Sequence, residues 1–190
     1  RNIVVSDVKS SLYYDNSGAT ADALVLNNVT ASGLGKGQGT FDIRKGTYGS
    51  LTIAHCTVTG GRDLLRVDAG HVTDAVNFVN NTIVAANPDK NGNGLMYVRS
   101  TPTSYVFTNN LFLSETNTLL SKASGVTVPT EAADNYFYDN GSILFTGLFT
   151  QEVAAGTVLA ESPVVDIAGG DYTVTNDECK SKNIGAARWR

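Results

Sequence analysis

Asparagine recurs at Asn28, Asn81, Asn110 and Asn135, each just after an alternating apolar stretch, and Cys56 fills the gap in the series. The successive spacings are 28, 25, 29 and 25 residues, a repeat of about 27. A unit of that length supplies one supersecondary piece, which cannot bury its apolar face alone and has to stack on its neighbours. The repeat therefore limits the chain to a stacked architecture before any other motif is considered.

The aligned segments are Ala23-Leu24-Val25-Leu26-Asn27-Asn28, Leu51-Thr52-Ile53-Ala54-His55-Cys56, Val76-Asn77-Phe78-Val79-Asn80-Asn81 and Tyr105-Val106-Phe107-Thr108-Asn109-Asn110. Period-2 alternation predicts an inward column of Val25, Ile53, Phe78 and Phe107, and another of Ala23, Leu51, Val76 and Tyr105. After the Asn position a second apolar set containing Val58, Ile83 and Phe112 reads as the next strand beyond a sharp bend. Asn tolerates a left-handed backbone and its amide both donates and accepts, so stacked copies predict an Asn ladder at a corner.

A third strand occurs once per repeat, in Phe41-Asp42-Ile43-Arg44, Leu65-Arg66-Val67-Asp68 and Met96-Tyr97-Val98-Arg99. Three short strands per coil with no helical period between them predict an all-β chain folded as a right-handed parallel β-helix. Coils spaced by about 4.8 Å would make five of them a stub roughly 25 Å long. Residues 1–140 read as the coils. From about Gly141 the period is lost, and the turn-rich Glu161-Ser162-Pro163 and Ala168-Gly169-Gly170-Asp171 predict an irregular segment, 141–190, that caps the last coil or lies along its side. The chain opens inside an apolar strand at Ile3-Val4-Val5, and a bare first coil would leave an unpaired strand edge. The expectation is a fragment whose missing N-terminal part caps the helix or adds coils; an open first coil also makes a head-to-head dimer plausible.

Composition narrows the partners. Nineteen glycines, a 42% hydrophobic fraction and 17% charged residues fit a turn-rich β protein. No apolar run approaches the roughly 18 residues of a membrane-spanning helix. A net charge of -4 with no basic cluster argues against nucleic acid. Cys56 reads as a small buried residue of the ladder, and a bridge to the distant Cys179 stays open.

The stretches Phe41–Gly49, Gly61–Gly70, Asn109-Asn110-Leu111-Phe112-Leu113 and Asn183-Ile184-Gly185 through Arg188-Trp189 resemble a group of secreted pectin-lyase-like β-helix domains from Bacteroidetes, over nearly the whole chain. That resemblance implies a secreted or outer-membrane-surface protein associated with polysaccharide use. The family's usual ending, Gly-Asp-Pro-Arg-Trp, is altered here by Ala186 and Ala187.

Register gives the surface one charged constellation. With Ile43, Val67 and Val98 pointing inward, Arg44, Asp68 and Arg99 form an outward column, and Asp42, Arg66 and Tyr97 form the column beside it. Signs alternate along and across the coils, as complementary cross-strand pairs would. Such a ladder fixes register and keeps the face soluble, at about 0 to 1 kcal/mol per exposed pair. The same six residues also suit a polysaccharide ligand lying along the sheet. Arg44, Arg66 and Arg99 match carboxylates with bidentate forks, Tyr97 offers a stacking platform, and Asp42 and Asp68 lie among them.

Catalysis is the weaker expectation. β-Elimination from a uronate needs a base near the C5 proton, and an arginine paired with Asp42 or Asp68 is held protonated. Glycoside hydrolysis needs two carboxylates about 5 to 10 Å apart, and the close acidic pair of the central coils, Asp63 and Asp68, is split by Arg66. His55 beside the Asn corner and His71 in a turn read as turn residues. Asp89-Lys90-Asn91-Gly92-Asn93-Gly94 matches the opening of a calcium loop, but Ser100 stands where a bidentate Glu is needed, so it reads as an Asn-Gly turn. The run Gly33–Gly39 lacks Walker spacing and leads into a strand, so it reads as an inter-coil loop. No cofactor or metal is expected. Three readings follow: a glycan-binding module preferring acidic polymers, a lyase or hydrolase completed by a missing part, and a structural spacer or adhesin.

Overall fold

The apolar/polar alternation of the repeats is realised as parallel strands that stack coil on coil. The computed structural model describes residues 3–8, 10–15, 17–34, 39–61, 63–84, 96–114, 125–139 and 156–190. The first face holds Thr20–Asn27, Thr47–Ala54, Val72–Val79, Ser104–Thr108 and Glu131–Ala133. The second face holds Ile3–Val5, Val29–Leu34, Thr57–Gly60, Thr82–Val84, Leu111–Ser114, Tyr136–Asp139 and Thr157–Leu159. The third holds Tyr13–Asp15, Phe41–Ile43, Leu65–Val67 and Met96–Val98. Every pair within these three sheets is parallel, so the chain is a parallel β-helix. Among the described residues, four turns carry a strand on all three faces and a fifth carries strands on the first and second.

The interior is built from columns of like residues. Leu51, Val76 and Tyr105 stack on one another, as do Ile53, Phe78 and Phe107, all fully buried. Across the corner Val58, Ile83, Phe112 and Phe137 continue the core. Ring centroids 5.7, 5.8 and 5.2 Å apart link Phe78 to Phe107, Phe107 to Phe112 and Phe112 to Phe137 in an offset aromatic pile.

The first coil departs from the predicted register by one residue. Leu24 pairs with Leu51 and Leu26 with Ile53, so Ala23 and Val25 face out, Val25 with 60% of its surface exposed. The corner residue is consequently Asn28, at φ 57°, in series with His55, Asn80, Asn109 and Asp134, all left-handed. The buried ladder position that follows is held by Val29, Cys56, Asn81, Asn110 and Asn135, so Asn28 is not the ladder's first rung. The Asn27-Asn28 doublet imitates Asn80-Asn81 and Asn109-Asn110, and in a period-2 strand a one-residue slip exchanges inside for outside.

The ladder satisfies buried backbone groups coil by coil. Oδ1 of Asn81, Asn110 and Asn135 accepts from the backbone N of Cys56, Asn81 and Asn110 at 2.9, 3.0 and 3.2 Å. Their Nδ2 atoms donate to the carbonyls of Ile53, Phe78 and Phe107 at 3.0, 2.9 and 2.7 Å. The Cys56 thiol occupies the equivalent place, with Sγ 3.6 Å from the Leu26 carbonyl. Cys56 and Cys179 are both buried free thiols, so no bridge joins them.

Thr157–Leu159 still adds a parallel strand to the second face, and residues 160–190 then lie along the outer side of that face. Their turns frame a hairpin of Val164–Asp166 with antiparallel Asp171–Val174, a short helix Asp177–Ser181 capped by Asn176, and a final 3-10 turn Ala187–Trp189. Val164, Tyr172, Val174, Cys179 and Ile184 pack on Val84, Leu111, Leu113 and Tyr136, outward side chains of the coils. Polar hooks then fasten the segment to successive coils. Ala186 N donates to Thr82 Oγ1 (2.9 Å), Trp189 Nε1 to Thr57 Oγ1 (2.8 Å), and Arg188 donates to Thr30 Oγ1 and to Asn28 Oδ1. Gly185, at φ +81°, passes so near that a Cβ would stand 2.8 Å from Thr82 Oγ1.

Candidate functional site

The third face carries the charged constellation on strands only three residues long. Phe41, Leu65 and Met96 pair across the coils and point inward, as do Ile43, Val67 and Val98. Between them Tyr14, Asp42, Arg66 and Tyr97 stand in one outward column. Arg44, Asp68 and Arg99 follow each strand, and their backbone N–H groups donate to the carbonyls of Asp15, Ile43 and Val67 at 3.1, 3.0 and 2.7 Å. All six residues expected from register are thus brought together on one sheet.

Their pairing differs from the cross-strand scheme that alternation suggests. Arg44 forks onto Asp42 of its own strand, Nε to Oδ1 and Nη2 to Oδ2, both at 2.7 Å. Arg66 forks in the same way onto Asp68, both bonds at 3.1 Å. The cross-strand approach of Arg66 Nε to Asp42 Oδ1 is 3.9 Å. Side chains two apart on one strand share a face, and the long guanidinium stem reaches along the strand more readily than a short carboxylate reaches across.

Asp42 also differs in exposure. Its position is outward, yet it is fully buried beneath its guanidinium partner, and Gly39 N donates to its Oδ2 at 3.0 Å. A carboxylate sealed in this way cannot touch a ligand, so its role is to hold Arg44. The hydrogen bonds that Arg44 donates to Asp42 hold its pKa above the ordinary value, which removes it as a base for β-elimination.

The aromatic component is larger than register alone indicates. The Arg44 guanidinium carbon lies 5.4 Å from the centroid of Tyr14, which sits one coil upstream of Asp42. Arg66 and Arg99 lie 5.8 and 5.9 Å from the centroid of Tyr97. A signal for Tyr14 is its place as the middle residue of Tyr13-Tyr14-Asp15, one repeat before Phe41-Asp42-Ile43. Among the described residues no carboxylate pairs with Arg99, which is exposed.

The remaining candidates are dispersed among the corners and the interior of the coils. Asp63 is fully buried and Asp68 is tied to Arg66. His71 Nδ1 lies 2.7 Å from the Gly46 carbonyl, and His55 sits in the left-handed corner, where burial and nearby Arg190 push its imidazole below the ordinary value. Ser100 staples a corner: its Oγ donates to the Asp68 carbonyl (2.6 Å) and accepts from His71 N and Val72 N. The Asp89–Gly94 run and residues 35–38 of the glycine-rich loop lie outside the described residues. Among the described residues no group of His, Cys, Asp and Glu is arranged to hold a metal, and no helix is long and apolar enough to cross a membrane. No family model, no curated protein and no solved structure matches the chain.

Proposed function

We propose that the protein is a carbohydrate-binding β-helix module that takes an acidic polysaccharide along its third face. The observation that carries this reading is Arg99, exposed beside the Tyr97 ring and unpaired with any carboxylate among the described residues, at one end of a column of guanidinium and phenol groups. An open guanidinium next to an aromatic ring offers a fork for a sugar carboxylate and a platform for the sugar's apolar face. The proposal extends to a secreted or cell-surface location on a bacterium, supported by the resemblance of Phe41–Gly49 and Gly61–Gly70 to secreted pectin-lyase-like domains. The arginine–aspartate forks supply the competing reading, a β-helical spacer whose ladder only sets register.

Binding of the full chain, Arg99→Ala and Tyr97→Ala to acidic and neutral polysaccharides at moderate salt separates the two. Glycan binding predicts that acidic polymers are retained by the wild type and lost by both variants, and analysis of the bound polymer then tests for cleavage. No binding to any polymer by folded wild-type protein rejects the proposal in favour of the spacer.

A further inference from the structure

Away from the third face, we infer that the cleft between the corner at His55 and the final 3-10 turn binds a small oxyanion, a carboxylate or phosphate on a molecule of about monosaccharide size. The left-handed corner residues Asn28, His55, Asn80, Asn109 and Asp134 stand in one column, one per coil. The closing segment passes along that column and bonds to four of the five. Arg188 donates to Asn28 Oδ1, Asn80 Nδ2 donates to the Asn183 carbonyl (2.8 Å), Asn109 Nδ2 donates to the Lys182 carbonyl (3.2 Å), and Lys182 Nζ meets Asp134 Oδ1 at 3.1 Å. His55 is the exception, because its Nδ1 is buried and has no partner among the described residues.

A cleft of about 380 Å³ opens at that point, lined by Asn27, Asn28, His55 and Ala187, within the size range of small-molecule sites. The asparagines of the next two coils meet the passing backbone, whereas the imidazole nitrogen is satisfied only by a group that enters the cleft. Charge selects the sign of that group. Burial, and then the nearby Arg190 guanidinium, push the imidazole below its ordinary value, so the ring is neutral and donates from Nδ1 in one tautomer. Arg188 stands next to Ala187 and holds Asn28, and its Nε is buried without an acceptor. Among the described residues no carboxylate pairs with Arg188 or Arg190. Two uncompensated guanidiniums and a ring N–H beside one cleft favour an acceptor that carries negative charge, and a neutral sugar forgoes that attraction.

The probes are glucuronate, inorganic phosphate and neutral glucose, titrated into the full chain while the histidine rings are followed by NMR. The chain has two histidines, so His71, which bonds to the Gly46 carbonyl in another turn, is the internal control. The expected result is that an anion moves the His55 ring signals and not those of His71, binding at least about fivefold tighter than glucose, the scale of one exposed charge contact. Which of the two anions binds more tightly then tells a carboxylate site from a phosphate site. Calorimetry on two variants locates the contact. Arg190→Ala removes an exposed guanidinium whose one hydrogen bond among the described residues runs to the Asn183 carbonyl, and His55→Asn keeps a residue type that tolerates the left-handed corner. Each is expected to weaken the anion by about fivefold or more. Glucose binding as tightly as the anions, a shift shared equally by His71, or no shift with any probe overturns the inference and leaves solvent as the cleft's occupant. Anion binding that both folded variants retain at wild-type strength also overturns it.

Discussion

Asp42 points outward from its strand and is nevertheless shut off from water, because the Arg44 guanidinium closes over it and the Gly39 N–H supports it. Removing the lid while keeping the carboxylate leaves a buried charge without its partner, so Arg44→Ala costs about 3 kcal/mol in denaturant unfolding, whereas exposed Arg99→Ala changes stability by under about 0.5 kcal/mol. Equal costs for the two would refute this division of roles. A second carboxylate, Asp15, takes the inward position held by Ile43, Val67 and Val98 in later coils. Burial works to raise its pKa, but hydrogen bonds from Ser17, Tyr48 and Gly46 outweigh it and hold the carboxyl below the ordinary 3.8. Because the folded value is depressed, the stabilisation is complete above the ordinary value and is lost as pH falls through the folded one. Unfolding midpoints at neutral pH and near pH 3 should show an acid loss in the wild type that Asp15→Asn lacks; the same loss in both would exclude Asp15 as its source. Alternation in the sequence assigns Asp42, Arg66 and Tyr97 to one face. It carries no information on which carboxylate a neighbouring guanidinium will cover, and that depends on side-chain reach across the finished sheet.

The Asn ladder works as an element because the amides of Asn81 and Asn110 each bond to the coil before and to the coil after their own. Truncating Asn110 strands the Asn81 N–H, the Phe78 carbonyl and an Asn135 amide contact in the interior, so Asn110→Ala is expected to cost about 3 kcal/mol or more by thermal or denaturant unfolding. Cys56 fills a rung with a weak sulfur donor near the Leu26 carbonyl, so Cys56→Asn should raise stability by roughly 1 kcal/mol while Cys56→Ala lowers it. A drop on Cys56→Asn would mean that the rung is limited by volume. The period and the three strands per coil were legible because identical residue types must stack. The first rung was not, since Asn27-Asn28 has the composition of the later doublets and only its pairing with the next coil reveals the shift to Val29.

At the scale of the whole molecule, the segment of residues 160–190 closes a strip of outward apolar side chains, Val84, Leu111, Leu113 and Tyr136, which a bare β-helix would leave wet. Ile184 is fully buried in that contact, so Ile184→Asp is expected to cost about 3 kcal/mol and to raise binding of a hydrophobic dye before the coils unfold; retention of wild-type dye binding and stability would show that the strip needs no cover. The contact was hidden from the sequence, because the segment abandons the 27-residue period and its partners are outward residues that alternation assigns to solvent. Its hooks have a further consequence. Arg188 reaches Asn28 and Thr30 across 160 and 158 positions of sequence, so coils whose strands pair only with adjacent coils are also tied from Arg188 back to the coil of Thr20–Leu34. During vectorial synthesis the coils can accrete in order as they emerge, but the coil of Asn28 and Thr30 stays unlatched until Arg188 has left the ribosome. Completion of this latch therefore waits on a long-range loop closure, and once made, that closure couples the opening of the coil that carries Asn28 and Thr30 to the release of the 3-10 turn that carries Arg188.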